Sequence, residues 1–383
     1  MYKMQRKSQA IFIKSSLVAG EHYNTYVPKP LPPNPAINMT EISERLENAN
    51  LAVGELNGIV ESVLDPAIIN YMYVRKEAVL SSQIEGTQST LDDLLRYESD
   101  VIAGVPVSDV DEVSSYVAAL NHGLERIQGG FPLSFRLVRE VHKILLVNSR
   151  GHQKTPGEYR KTQNWIGGTR PGNALFVPPP PDRINDCLGD LEKFLHAKDK
   201  MPILVKAALI HHQFETIHPF LDGNGRAGRL LITLYLYFAG FLRSPFLYLS
   251  LFLRQHRDLY YDKLSEPRKT GDWESWLNFF LEGVAETAGS AKRTLVEIKT
   301  LFAIDDARLS GLGRARPSAE TIFAVFKQKP VLSIAEIRRR TGLTKPTAIS
   351  TVKRLIDLGI VENLSEKKWG QIYAYSAYIA LLR

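Results

Sequence analysis

With a single cysteine, Cys187, in 383 residues, the chain has no partner for an internal disulfide, which points to a reducing compartment. No apolar run reaches bilayer length. The longest, Leu230 to Leu242, is too short and starts directly after Arg229. No signal sequence of basic, apolar and small residues opens the chain. Together these absences set the expectation of a cytoplasmic protein with no membrane partner.

What is present describes a globular protein. Apolar residues make up 44% and charged residues 23%, enough to build a sizeable core, and the length suggests two or three domains. The net charge of +7 is uneven. From Asp305 to Arg383 there are 14 Lys and Arg against 7 Asp and Glu, so this tail carries the whole excess. A basic terminal module points to nucleic acid, with a merely soluble surface as the alternative.

The densest chemistry lies in His218-Pro219-Phe220-Leu221-Asp222-Gly223-Asn224-Gly225-Arg226-Ala227-Gly228-Arg229, followed by an apolar run that reads as a buried helix. The loop therefore ends at a helix N-terminus, where free N–H groups attract anions. Gly223 and Gly225 allow positive φ and a close backbone approach, so successive amides can cradle a phosphate. Arg226 and Arg229, three apart, share a helical face and suit phosphate oxygens. Asp222 is a hard oxygen ligand for Mg²⁺, and His218 can accept a proton. A metal-hydrolase reading of His211, His212, His218 and Asp222 is also open, although the H-E-x-x-H spacing is missing.

At every defined position the string resembles the Fic family signature, H-P-F-x-[D/E]-G-N-G-R-x-x-R. The resemblance covers roughly residues 40 to 300. It implies a mainly α, Fic-type helical bundle with a β-hairpin flap. It also implies a protein adenylyltransferase, which moves AMP from ATP to a Tyr, Thr or Ser hydroxyl of a target protein or of itself. On that resemblance His218 is the catalytic base and Asp222 carries Mg²⁺, while Gly223, Asn224, Gly225, Arg226, Ala227, Gly228 and Arg229 hold the ATP phosphates. The alternatives are removal of AMP, transfer of another phosphate-linked group, or a DNA-binding regulator with a nucleotide-sensing core. A homodimer is compatible with the family.

Along the chain, residues 1–40 are rich in Pro and Asn and read as an irregular extended arm. Helices follow from Thr40 to about Leu56 and from Pro66 to Ile84, the second burying Ile68, Met72 and Val79. The second ends in Ser81-Ser82-Gln83-Ile84-Glu85-Gly86, with Ser81 and Glu85 on one face and Gly86 as a helix stop. This matches the family's inhibitory motif, [S/T]-x-x-x-E-[G/N]. The match implies that Glu85 pairs with Arg229 and displaces the γ-phosphate. Helices are expected over 108–130 and 132–149.

Trp165-Ile166-Gly167-Gly168 and Leu175-Phe176-Val177, around Pro171-Gly172-Asn173, read as a hairpin. In the family the matching hairpin is a flap that pairs with an extended target segment. Tyr260 and Tyr261 suit either a helix interface or cover for a nucleotide base, and the resemblance favours the base. Helix is expected from Trp273 to Phe302. Beyond Gly311–Pro317, a linker by composition, helices and a two-stranded wing around Lys367-Lys368-Trp369-Gly370 resemble a small winged helix-turn-helix. The expected division is 1–110 for the arm and inhibitory region, 111–303 for the catalytic core and 304–316 for the linker. The winged helix follows over 317–383, binding DNA or another protein.

Overall fold

Two helices, apolar nearly all round, form the centre: Ile203–Ile217 and Asn224–Phe238. Every residue from Leu204 to Ile217 is buried, as is every residue from Arg226 to Leu236. A helix without a polar face must be covered on all sides, and the other elements supply that cover. The structure is a computed structural model. It describes residues 9–16, 22–63, 66–99, 107–149, 151–365 and 371–383, without the side chains of 61–69. Expectations for Ile68 and for Lys367–Gly370 lie outside it.

In chain order the helices are α1 (Met39–Val63), α2 (Pro66–Ile84), α3 (Leu91–Tyr97), α4 (Val107–Gln128), α5 (Phe135–Leu146), α6 (Ile184–His196), α7 (Ile203–Ile217) and α8 (Asn224–Phe238). They continue with α9 (Ser250–Gln255), α10 (Arg257–Thr270), α11 (Trp273–Leu309), α12 (Arg316–Gln328), α13 (Ile334–Thr341), α14 (Lys345–Asp357) and α15 (Ser376–Ala380). The strands are β1 (Ala10–Ser15), β2 (Tyr23–Pro28), β3 (Val331–Ser333), β4 (Glu362–Asn363) and β5 (Ile372–Ala374). The protein is mainly α, as expected. No helix among the described residues is long and apolar enough to cross a membrane.

α1 lies parallel to the 37-residue α11, with Arg45 3.3 Å from Glu282 and Lys292 3.0 Å from Glu55. At 1.5 Å per residue α11 runs about 55 Å and continues past the expected end of the core. Phe302, near its end, packs against Phe323, Tyr375 and Tyr378, and the Tyr375 hydroxyl donates to Asp305 at 2.5 Å. Over 304–316, expected as a linker, α11 extends to the buried Leu309, and Ser310–Ala315 is a 3₁₀ segment that kinks at Gly313 (φ 54°) before α12. Glycine and arginine composition describes its exposed surface and says nothing of the aromatic cluster beneath.

Two further expectations change. Among the described residues of the N-terminal arm, two strands pair antiparallel in regular register from Ala10↔Pro28 to Ser15↔Tyr23. Of these residues the β-prone ones precede the prolines, and the Pro-rich stretch after Pro28 is irregular. The arm lies on the body through Tyr26 N–H to Val177 O (2.9 Å) and Gln213 Nε2 to Lys29 O (2.9 Å). In the terminal module the sheet has three strands in the order β3-β5-β4, with Val331–Ser333 added to the expected two.

Candidate active site

α7 stops where His218 turns left-handed, at φ 49° and ψ 60°. Non-glycine residues take this conformation rarely, and it needs support from the surroundings. Arg160 supplies part of it, donating from Nε to His218 O at 2.9 Å while its own N–H bonds Pro219 O at 2.9 Å. The His218 side chain is 20% exposed, and its buried Nδ1, 3.9 Å from Glu215 Oε2, has no well-formed hydrogen bond. Burial, with the Arg160 and Arg268 cations, lowers its pKa to about 4. At neutral pH it is an uncharged base.

The loop from 219 to 223 is tied down from both sides. Asn224 Oδ1 accepts from Phe220 N–H at 2.9 Å and Asn224 Nδ2 donates to Phe220 O at 2.8 Å. The Asn224 side chain expected on a phosphate is thus committed to the loop's own backbone. From α5, His142 Nε2 donates to Asp222 O at 2.9 Å and Nδ1 accepts from Gly157 N–H at 2.9 Å. Its ring stacks on Phe220 at 3.6 Å. Gly223 has φ 75°, accessible without strain only to glycine, and opens α8.

The first intrahelical bond of α8 runs from Ala227 N–H to Gly223 O at 3.0 Å. The amides of Asn224, Gly225 and Arg226 therefore form the free, positive helix end. Glu85 reaches this spot from just beyond α2. Its Oε1 lies 2.3 Å from where a Cβ on Gly225 would stand, so any side chain at 225 would push the Glu85 carboxylate aside. The same oxygen accepts from Arg229 Nη2 at 2.8 Å. Arg229, 2% exposed, also donates from Nε to Ser81 Oγ at 2.9 Å and from Nη2 to Ser81 O at 3.0 Å. Burial alone would raise the Glu85 pKa, but the charge and hydrogen bond of Arg229 together with the Arg226 charge outweigh it, and the net shift is downward. Glu85 is thus a carboxylate held at an anion-binding helix end.

Arg226 Nη1 is 2.8 Å from Glu112 Oε1, but its N–H is poorly aimed, and Nε and Nη1 both keep unspent donors. Asp222 is half exposed. Its Oδ1 accepts from Gly223 N–H at 2.6 Å and its Oδ2 faces Gly151. Ala227 and Gly228, expected on the phosphates, are buried helix backbone, and the Gly228 carbonyl accepts from His211 Nδ1 at 3.1 Å.

Tyr260 is 1% exposed and donates to His211 Nε2 at 2.9 Å, with its ring near Trp276, so of the tyrosine pair it is the core residue. Tyr261 is 40% exposed, with Arg257 over its ring at 5.5 Å. His212 is likewise taken up by Leu264 O at 3.0 Å. No three His, Cys, Asp or Glu among the described residues converge as metal ligands, so the four metal-hydrolase residues do not form one site.

The expected hairpin flap shrinks to one antiparallel bridge, Ile166↔Phe176, around a 3₁₀ turn at Pro171–Asn173. Gly167 and Gly168 break the first strand with positive φ, and the Asn173 side chain binds the Thr169 and Arg170 amides, winding the chain into a turn. Trp165 and Leu175 are exposed, at 37% and 86%, whereas Phe176 packs on Tyr26 and Arg268. The Val177 carbonyl is already taken by Tyr26.

Sequence reasoning missed His142, Arg160, Glu112, Glu215 and Arg268. One sign was available for His142, which occupies the apolar stripe of α5 with Leu137, Val138, Val141 and Leu145. Glu215 is buried beside Gly228, and burial pushes its pKa up to about 7 against the pull of Arg229.

Residues 43–125 match the model of the Fic/DOC family N-terminal region, and residues 132–236 match that of the Fic/DOC family. The protein adenylyltransferase Fic of Aedes aegypti is 31% identical over 160 residues, covering 40% of this chain and 28% of the relative. A probable protein adenylyltransferase of Aquifex aeolicus is 30% identical over 173 residues, covering 41% and 52%. The chain thus spans between about a quarter and a half of these relatives' length. Among solved structures, a Fic family protein from Desulfovibrio desulfuricans G20 superposes with a TM-score of 0.58 at 21% identity, covering 90% of this chain and 97% of that one. A Fic domain containing protein from Bacteroides thetaiotaomicron gives 0.53 at 18%, covering 66% and 97%. Both share its fold.

Proposed function

This chain belongs to the Fic/DOC family, and we propose that it transfers AMP from ATP to a hydroxyl of a protein substrate or of itself. The observation that carries the reading is the buried Arg229 beside the open N-terminus of α8, with the Glu85 carboxylate where a phosphate belongs. The names of the adenylyltransferase relatives support it. The amides of Asn224 to Arg226, with the side chains of Arg226 and Arg229, would hold the triphosphate. A half-exposed lone carboxylate suits Mg²⁺, which keeps several waters and takes one or two protein oxygens beside substrate phosphates. Asp222 fits that role, and the ion would neutralise phosphate charge.

His218, uncharged at neutral pH, takes the proton of the attacking Tyr, Thr or Ser hydroxyl. The hydroxyl oxygen bonds to the α-phosphorus, the bond from that phosphorus to the β-phosphate bridging oxygen breaks, and pyrophosphate leaves. Arg160, Asn224 and His142 act by positioning the loop, which governs rate in phosphoryl transfer. Glu85, paired with Arg229, holds the enzyme in an inhibited state. Lysate incubated with the chain and α-labelled ATP should acquire label on proteins. Label from γ-labelled ATP alone would overturn AMP transfer in favour of another phosphate-linked group.

A second reading concerns the terminal module. Arg338, Arg339, Lys345, Lys353 and Arg354 are exposed on α13 and α14, which meet at a tight turn after Gly342. This supports DNA binding through residues 317–383, with affinity that falls as salt rises.

A further inference from the structure

On the far side of α2 from Arg229 the fold leaves a cavity of about 340 Å³, bordered by α2, α3, α9 and the last residues of the chain. Val79, Leu80, Leu91 and Leu382 make it apolar. Lys76, on the same wall, is only 8% exposed. Its ammonium lies 4.5 Å from the Tyr248 ring centroid and has no carboxylate at ion-pair distance among the described residues. Asp92, the acid on the wall, is already bound by Arg383 at 2.5 Å. Arg254 stands at the rim, exposed. A buried cation without an anion is costly, and burial accordingly lowers the Lys76 pKa to about 8.

A pocket of this size with apolar walls and one fixed charge has the build of a small-molecule site. We propose that it binds a small amphipathic carboxylate, with its head on Lys76 and Arg254 and its body along Val79, Leu80, Leu91 and Leu382. A free phosphate is the poorer occupant, because it has no apolar body to lie along Val79, Leu80, Leu91 and Leu382.

Titration calorimetry of the full chain with octanoate, decanoate and the uncharged decanol tests this. Decanoate should bind saturably at one site and more tightly than decanol. Lys76→Met should weaken decanoate by about tenfold or more, the worth of a charge-assisted hydrogen bond, while leaving decanol unchanged. Val79→Trp, which fills the cavity, should abolish both. Lys76→Met removes an unpaired buried charge, so its melting temperature should hold or rise. If that variant does not fold, the exposed Arg254→Gln serves, with decanoate weakened several-fold. Absence of saturable binding, equal decanoate affinity in the charge variants, or tighter binding of inorganic phosphate than of decanoate would overturn the proposal.

Val79, Leu80 and Gln83 belong to the last turns of α2, which lead into Glu85, and Gln83 donates to Ser89 O at 2.8 Å in the loop just after it. A filled cavity would stiffen that end. The consequence, which rests on the reading of Glu85 above, is that decanoate lowers AMP transfer by the parent chain and not by Glu85→Gly. Binding without that effect supports the site and removes the coupling.

Discussion

Replacing Glu85 by glycine deletes one oxygen contact with two consequences of opposite sign. The ion pair with Arg229 is 2.8 Å long, with the arginine side chain 2% exposed and that of the glutamate 36% exposed. A fully buried pair costs about 3–5 kcal/mol to break, and an exposed one about 0–1. Solvent at Glu85 screens this pair, so the loss should be about 1–2 kcal/mol. Arg229 keeps its hydrogen bonds to Ser81 Oγ and Ser81 O, so it stays in place. Glu85 lies one residue past α2, so the helix loses less than the ~1 kcal/mol of an interior glycine.

The gain is at the substrate. The carboxylate no longer covers the α8 amides, and Arg229 can meet the γ-phosphate instead. One recovered charge-assisted hydrogen bond, at about 1.5–3 kcal/mol, corresponds to about tenfold or more in AMP transfer. The assay is incorporation of label from α-labelled ATP at equal protein and Mg²⁺, with folding checked by melting. Glu85→Gln, which keeps a polar contact without charge, should fall between. Incorporation by folded Glu85→Gly at or below the parent rate would refute the reasoning.

Asn224→Ala removes both side-chain bonds to the Phe220 backbone and should lower stability by about 2 kcal/mol and slow transfer; unchanged melting would show that the loop holds itself. Acid sensitivity follows from the buried rings. His142, His211 and His218 drop from 6.5 in the unfolded chain to about 4, 3 and 4, and His212 drops as well. Their contribution is complete above pH 6.5 and lost as pH falls toward 4. Glu77 and Glu215, raised from 4.5 to about 7, act oppositely between those values but are outnumbered. The denaturant midpoint should be lower at pH 5 than at pH 7, and the reverse order would contradict these assignments. Phe302→Ala should cost about 3–5 kcal/mol and loosen the terminal module from the body, read as a separate melting transition; a single unshifted transition would show that the cluster does not join them.

The loop was legible because its parts are contiguous. His218, Asp222, the glycines and both arginines sit within one turn and the start of one helix, so local rules place them together. Ser81 and Glu85 are 148 and 144 residues from Arg229, yet a short motif marked them. The partners without a motif were not legible. His142, Glu112 and Arg160 arrive from other elements, and only the folded chain shows which of many buried polar residues meets the loop. The backbone clamp made by the Asn224 side chain was not legible because its residue type suits a phosphate as well. Tyr260 and Tyr261 differ in burial because neighbours on a helix face different ways. The helical structure within 304–316 was not legible because surface composition conceals an aromatic cluster contributed from far along the chain.

The central claim is that this site forms a bond between a protein hydroxyl and AMP with His218 as the base. Intact-mass measurement after incubation of Glu85→Gly with Mg-ATP, beside the Glu85→Gly/His218→Ala double variant, tests it most directly. A positioned base contributes about 10²–10⁴-fold. The single variant should therefore gain the mass of AMP on itself or an added target, while the double variant binds ATP with similar affinity and gains none. Equal modification of the two chains would contradict the account.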